Sequence, residues 1–303
     1  MKGWVKLAVV LVLSVASLVA ESKVKVVTSF SILQDMVQQI GGEAVEVVSL
    51  VPIGADVHEF DPSPQSVATL ANANLLVING LGFDDWTQRL VKSAGYKGLT
   101  VVATKGVVLI EVDEAHHHHD GPHHDHEHHG KWDPHAWQDL SNAVIYVQNI
   151  VEALRKIDPE HASDYEQRGD AYVASIKLLD AETKAKFASL PPARKQMVTN
   201  HDAFSYFAKA YGIKVHAAMG ISSASRPSAK IIASLIDEIK EEKVPAVFFE
   251  NIFNARLIEQ LARDSGAKVG GKLYTDSISE SGPTSTYLGM FQYNVDTIFN
   301  AIR

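Results

Sequence analysis

The sequence predicts an α/β protein of two parallel-sheet lobes joined by one long, rigid helix, and three observations carry that reading. Short apolar runs alternate with amphipathic stretches across residues 24–104, the same alternation returns across 195–302, and the segment between is polar with a helical period. At 303 residues the chain can build two such lobes around a sizeable core.

In the first lobe VKVVTSF (24–30) reads as a strand and SILQDMVQQIGG as a helix closed by Gly41 and Gly42. VEVVSLV, NLLVING and GLTVVAT supply three further strands, separated by the helices PSPQSVATLANA and DDWTQRLVKSAG. Ser63 before Pro64 marks a helix start, because the hydroxyl accepts a first-turn N–H and proline needs to donate none. The second lobe repeats the scheme. KQMVTN, IKVHAAM, PAVFFEN and AKVGGKLY are its strands; AFSYFAKAYG, PSAKIIASLIDEIKEEK, ARLIEQLARDSG and a last segment from about Tyr287 to Ile302 are its helices.

Between the lobes, Asp158 to Pro192 has no breaker from Pro159 to Pro191 except Gly169, and Tyr165, Tyr172, Ile176, Leu179 and Phe187 recur at helical spacing. A continuous helix of about 30 residues would be about 45 Å long, enough to brace both lobes. Two helices broken near Gly169 are the alternative. The expected organisation is a signal peptide over 1–20, an N-terminal lobe over 21–157 with a histidine-rich loop at 116–130, a connecting helix over 158–190 and a C-terminal lobe over 191–303.

Lys2 and Lys6 precede an apolar run that ends in small residues, the pattern of a cleaved secretory leader, and the run is shorter than the roughly 20 residues needed to span a bilayer. There is no cysteine, which excludes lipid attachment through an N-terminal Cys, disulfides, thiolate metal sites and cysteine nucleophiles. The expectation is an exported protein that is not a lipoprotein. Losing Lys2 and Lys6 takes the formal charge from −8 to −10, so no basic footprint for nucleic acid exists.

In open parallel sheets ligands bind beyond the carboxyl ends of the strands. His58 in GADVHEFDPSP and His135 in KWDPHAWQDL follow strands of the first lobe; His201 in VTNHDAF and Asp276 in LYTDSIS follow strands of the second. Three imidazoles and one carboxylate suit Zn²⁺, which takes four nitrogen or oxygen ligands in a tetrahedron. Singly, each has a plainer reading, as a capping residue, a surface histidine or a turn acid. His216, inside a strand, reads as a core or sheet-face histidine, and His161, in the first turn of the long helix, as solvated. Glu250 closes the strand VFFEN and is placed to orient an imidazole through its free N–H.

HEFDPSP, DPHAWQD, TNHDAFSYFAKAYG, AMGISSASRPSAKII and YTDSIS, in this order around a long central helix, resemble the zinc- and manganese-specific solute-binding proteins of bacterial ABC transporters. The resemblance covers essentially the whole mature chain. It implies a binding protein that captures a metal ion between two α/β lobes and delivers it to an ABC permease; the export leader makes it periplasmic, and a monomer that a periplasmic metal donor could load is expected. The ligand positions it implies are His58, His135, His201 and Asp276. A histidine at the third position favours zinc over manganese. The nine loop histidines, His116, His117, His118, His119, His123, His124, His126, His128 and His129, have no hydrophobic periodicity around them and would offer weaker, exchangeable zinc sites, since ordering a flexible tract costs entropy that a preformed site has already met. A manganese-type binding protein and a metal-dependent adhesin are the alternatives. A zinc hydrolase is disfavoured, with no HExxH and with Asp276 filling the position a catalytic water would need.

Overall fold

The computed structural model describes residues 22–112, 131–221 and 227–303, so the leader and the histidine-rich tract lie outside the described residues. The first sheet contains β1 (Val24–Thr28), β2 (Val45–Ser49), β3 (Leu75–Ile78) and β4 (Leu99–Val102), all parallel, in the order β2-β1-β3-β4. The second contains β5 (Gln196–Thr199), β6 (Lys214–Ala217), β7 (Ala246–Glu250) and β8 (Lys268–Leu273), also parallel, in the order β6-β5-β7-β8. One strand order serves both lobes. Parallel neighbours need crossovers, and α1 (Ser31–Gly41), α2 (Pro64–Ala71) and α3 (Trp86–Ala94) supply them in the first lobe. In the second, α6 (Ser205–Tyr211), α7 (Ala229–Glu242) and α8 (Arg256–Ser265) do the same, and α9 (Tyr287–Ile302) closes the chain. The helix predicted at Ser63-Pro64 begins there, with Ser63 accepting from the Ser66 N–H in a capping box.

Two helices not in the crossover pattern hold the lobes. The helix α4 (Leu140–Ile157) follows a 3-10 turn at Ala136–Gln138 and is capped by Asp139, whose carboxylate accepts from the Ser141 N–H. The long helix α5 (Ala162–Ala188) runs 27 residues, about 40 Å, without a break. It is shorter than the expected span because Pro159–His161 forms a separate 3-10 turn and Pro191 ends the other side. Gly169 does not break the helix; it lets α5 approach α4, since a Cβ there would sit 2.5 Å from a Val151 methyl. His161 is not the solvated residue the sequence suggested. Its side chain is 24 % exposed and lies 2.8 Å from Asp158, and that carboxylate also accepts from the Tyr165 hydroxyl.

One apolar core runs from Val26 and Leu76 in the first lobe through Trp137 and Tyr287 to Phe207, Phe248 and Phe291 in the second. A smaller cluster around Val198, Val247 and Leu261 lies under the far side of the second sheet. The lobes therefore share a core. Hydrogen bonds tie them as well: Trp137 Nε1 donates to the Thr275 carbonyl at 3.0 Å, the Tyr287 hydroxyl to the Trp137 carbonyl at 2.6 Å, and the Ile278 N–H to Ser31 Oγ at 3.2 Å. No helix among the described residues is long and apolar enough to cross a membrane.

Candidate metal centre

Strand ends from both lobes bring four donors together. His58 follows β2 on a turn, His135 lies between the residues leading out of β4 and α4, His201 is two residues past β5, and Asp276 three past β8. His58 Nε2 lies 3.3 Å from His135 Nε2 and 3.8 Å from Asp276 Oδ2, while Asp276 Oδ1 is 3.8 Å from His135 Nε2 and Oδ2 is 3.3 Å from His201 Nε2. A tetrahedral ion with bonds of about 2.0–2.2 Å has edges of about 3.3–3.6 Å, so small inward movements would complete it. The four residues form one of two groups of His and acidic side chains, among the described residues, that could hold a metal ion.

The centre is dry. His135, His201 and Asp276 are fully buried and the His58 side chain is 7 % exposed. Phe83 packs edge-on to His58 at 4.7 Å, Trp137 lies 5.3 Å from His135 and Phe253 5.2 Å from His201. Within this apolar wall, His201 Nε2 and both oxygens of Asp276 are buried without a hydrogen-bond partner. Buried polar atoms normally find one, so three orphans aimed at one point mark a place built for a cation.

Carboxylates orient the rings. Asp133 Oδ1 lies 2.9 Å from His135 Nδ1 and accepts the His135 backbone N–H at 2.8 Å. Glu250, at the end of β7, lies 2.5 Å from His201 Nδ1 through Oε2 and accepts the His201 N–H through Oε1 at 2.9 Å. With Nδ1–H donated to the carboxylate, each ring presents Nε2 to the centre. Thr275 Oγ1 holds Glu250 in turn, at 3.0 Å. The peptide before His135 is pinned too, since Asn79 Nδ2 donates to the Pro134 carbonyl while its own Oδ1 accepts from the Tyr146 hydroxyl. Asp84 accepts from the N–H groups of Asn79 and Gly80; burial pushes its pKa up to about 6.

Charge follows from burial and neighbours. Burial alone would lower the His201 pKa, but the carboxylates of Glu250 and Asp276 outweigh it and hold the imidazole well above its ordinary value. For Asp276 burial pushes upward, and the imidazoles of His201, His135 and His58 outweigh it, bringing the carboxyl to about 2. Without metal the centre keeps a negative carboxylate beside a protonated histidine.

Sequence reasoning placed Glu250 near an imidazole, and it lies there. It missed Asp133, Asn79 and Tyr146. A signal for the first was present: Asp56-Val57-His58 and Asp133-Pro134-His135 repeat an Asp two residues before a histidine, and in both the aspartate accepts the histidine's backbone N–H. His216 lies in β6, mostly buried, away from this centre.

Two α/β lobes bracing a buried, preformed cation centre define a class, the binding proteins that capture metal ions. Residues 26–301 match the family described as zinc-uptake complex component A, periplasmic (ZnuA), and the chain belongs to that family. It is 36 % identical over 277 residues to the iron-binding protein YfeA of Yersinia pestis, covering 91 % of this chain and 85 % of that protein. It is 34 % identical over 284 residues to the metal ABC transporter substrate-binding lipoprotein SsaB of Streptococcus sanguinis, covering 91 % and 88 %. Among solved structures it resembles the periplasmic zinc-binding protein TroA of Treponema pallidum (TM-score 0.84, 30 % identity, 93 % of this chain and 99 % of that one). A manganese-bound periplasmic metal-binding protein from Candidatus Liberibacter asiaticus superposes with a TM-score of 0.80 at 27 % identity, covering 93 % and 100 %. The chain is thus the metal-binding component of an ABC transporter, acting outside the cytoplasm with permease and ATPase subunits as partners.

Proposed function

We propose that His58, His135, His201 and Asp276 ligate one Zn²⁺ and that the protein captures zinc for delivery to its permease. The observation that carries this reading is the convergence of three imidazole nitrogens on a single, otherwise unpartnered carboxylate at near-tetrahedral spacing. Three nitrogens and one oxygen in a dry, closed set suit zinc, and leave no open position for a hydrolytic water. The histidine-rich tract 116–130 acts as an auxiliary collector with weaker sites, and the leader 1–20 is removed on export.

A second reading, import of manganese or iron, is favoured by Asp276, both of whose oxygens face the centre and could bind together to raise the coordination number. The iron-binding name of the Yersinia pestis relative and the manganese-bound Liberibacter structure lean the same way, while the family description and TroA lean to zinc. Affinity ranking in the test tube does not separate the readings, since nearly any nitrogen and oxygen site prefers zinc to manganese or ferrous iron. The deciding experiment is metal analysis of the protein as exported by its own cells, together with growth of a deletion strain. Zinc in the centre and rescue by added zinc are expected; manganese or iron in the centre, with rescue by that metal, would overturn the zinc assignment.

A further inference from the structure

A second constellation lies on the outer edge of the C-terminal lobe. Lys214 and His216 are two residues apart on β6 and so share a face of the sheet. Glu238 and Glu242 are four apart on α7 and share a face of that helix. The crossover brings the two faces together. His216 Nδ1 lies 3.0 Å from Glu238 Oε1, and His216 Nε2 lies 3.6 Å from Glu242 Oε2. The imidazole side chain is only 7 % exposed, and its Nε2 is buried with no hydrogen-bond partner. A sheet-face histidine serving the fold alone has no need of an orphaned nitrogen aimed at a carboxylate.

The Glu242 carboxylate already holds a cation. Lys214 Nζ sits 2.6 Å from Oε1 and 2.5 Å from Oε2, and this contact holds the Glu242 carboxyl below its usual range. The lysine side chain is 55 % exposed, so it can swing into solvent without disturbing the core.

We propose that His216, Glu238 and Glu242 form a second, weaker site for a first-row divalent cation, gated by Lys214. Glu238 accepts the Nδ1 proton and so leaves the lone pair on Nε2. That nitrogen and the Glu242 carboxylate, 3.6 Å apart, bind the ion between them once Lys214 gives up the carboxylate, and water fills the remaining positions. The donor atoms of the three residues all lie within 4.8 Å of one another. One imidazole with carboxylate and water accepts zinc or manganese, with an affinity below that of the buried interlobe centre because the site is open and must first displace a lysine. Its structural effect is to staple α7 to β6, the edge strand of its sheet. The site stands apart from the interlobe centre and does not depend on which metal that centre carries.

The test uses the full chain loaded with one equivalent of zinc, so that the interlobe centre is filled, and Mn²⁺ as the probe. Paramagnetic broadening is followed on the backbone amide signals. The amides of Lys214–Ala217 and Glu238–Glu242 should broaden selectively within their lobe, and Glu242→Gln should abolish that local broadening while leaving zinc loading intact. Lys214→Gln should lower the Mn²⁺ needed for half-broadening by about fivefold, the scale of screened repulsion between neighbouring unit charges at a surface. An ion-pair cluster with no metal role would show no gain on losing the lysine. Absence of broadening at 214–217 up to millimolar Mn²⁺, or local broadening unchanged in Glu242→Gln, overturns the site.

Discussion

His135 and His201 turn Nε2 to the centre because Nδ1 of each is held by a carboxylate, Asp133 and Glu250 respectively. Glu250→Gln keeps the shape of the side chain but removes the charge that His201 Nδ1 faces at 2.5 Å, and loss of such an orienting carboxylate lowers metal affinity by about 10–100-fold. Asp133→Asn should act in the same direction on His135, and His201→Ala should remove tight binding altogether. Competition against a chelator of known affinity measures all three, and unchanged affinity in His201→Ala would refute the ligand set. Protons supply a separate test. The elevated His201 pKa means that the metal-free centre holds a proton which the ion must displace. Zinc binding near neutral pH is therefore expected to release about one proton per ion, seen as a calorimetric enthalpy that varies with the buffer's ionisation heat. Affinity should climb as pH rises toward the His201 pKa. The metal-free fold runs the other way: the stabilisation from a protonated His201 is complete below about pH 6.5, the unfolded value, and fades as pH rises through the raised folded value. The contribution of Asp276 is present above about pH 4 and is lost as pH falls toward its folded value.

Elements position these residues through close packing and short backbone ties. Because α5 crosses α4 at Gly169, Gly169→Ala should gain the helix preference of alanine, about 1 kcal/mol, yet lose more through the clash with Val151, since overpacking costs about 1–3 kcal/mol. Urea unfolding should show net destabilisation that Val151→Ala partly relieves; equal stability in the single variant would mean that the helices tolerate a wider spacing. The base of the histidine-rich tract is a second such tie. Val112 N–H donates to the Lys131 carbonyl at 3.1 Å and Asp133 N–H to the Ile110 carbonyl at 2.9 Å, so residues 110–112 and 131–133 are paired in register just before His135. Deleting 116–129 leaves these bonds and all four ligands in place. Titration calorimetry should then show fewer weak zinc sites with the tight one unchanged, and loss of the tight site would place its chemistry in the tract.

On the scale of the molecule, the lobes are held by a shared core and by α5 rather than by a loose linker. Wide opening would break the Trp137–Thr275, Tyr287–Trp137 and Ile278–Ser31 hydrogen bonds, each worth about 1 kcal/mol, and would hydrate part of the common core as well. Release should therefore proceed by local movement of the ligand-bearing loops, the segment 275–278 among them, because it carries Asp276 and touches the first lobe through Ser277. Small-angle scattering of zinc-bound and metal-free protein should give nearly equal radii of gyration. A large increase on metal removal would show a hinge and contradict the brace.

Period and punctuation are local properties, and they sufficed for the alternation of strands and helices, the Ser63-Pro64 helix start, the unbroken helix through Gly169 and the placing of His58, His135, His201 and Asp276 at strand ends. Strand ends are where an open parallel sheet leaves backbone and side chains free to meet a ligand, so composition and order alone singled out four candidate donors that the fold brings together. What the sequence could not supply was distance between residues far apart in the chain. Asn79 reaching Pro134, Tyr146 reaching Asn79 and Glu238 lying against His216 depend on how helices settle on sheets, and no local pattern encodes that. The same holds for charge: an isolated aspartate or histidine titrates near its ordinary value, and only the opposite charges of His201 and of Asp276 and Glu250, brought together by the fold and outweighing burial, drive the two apart.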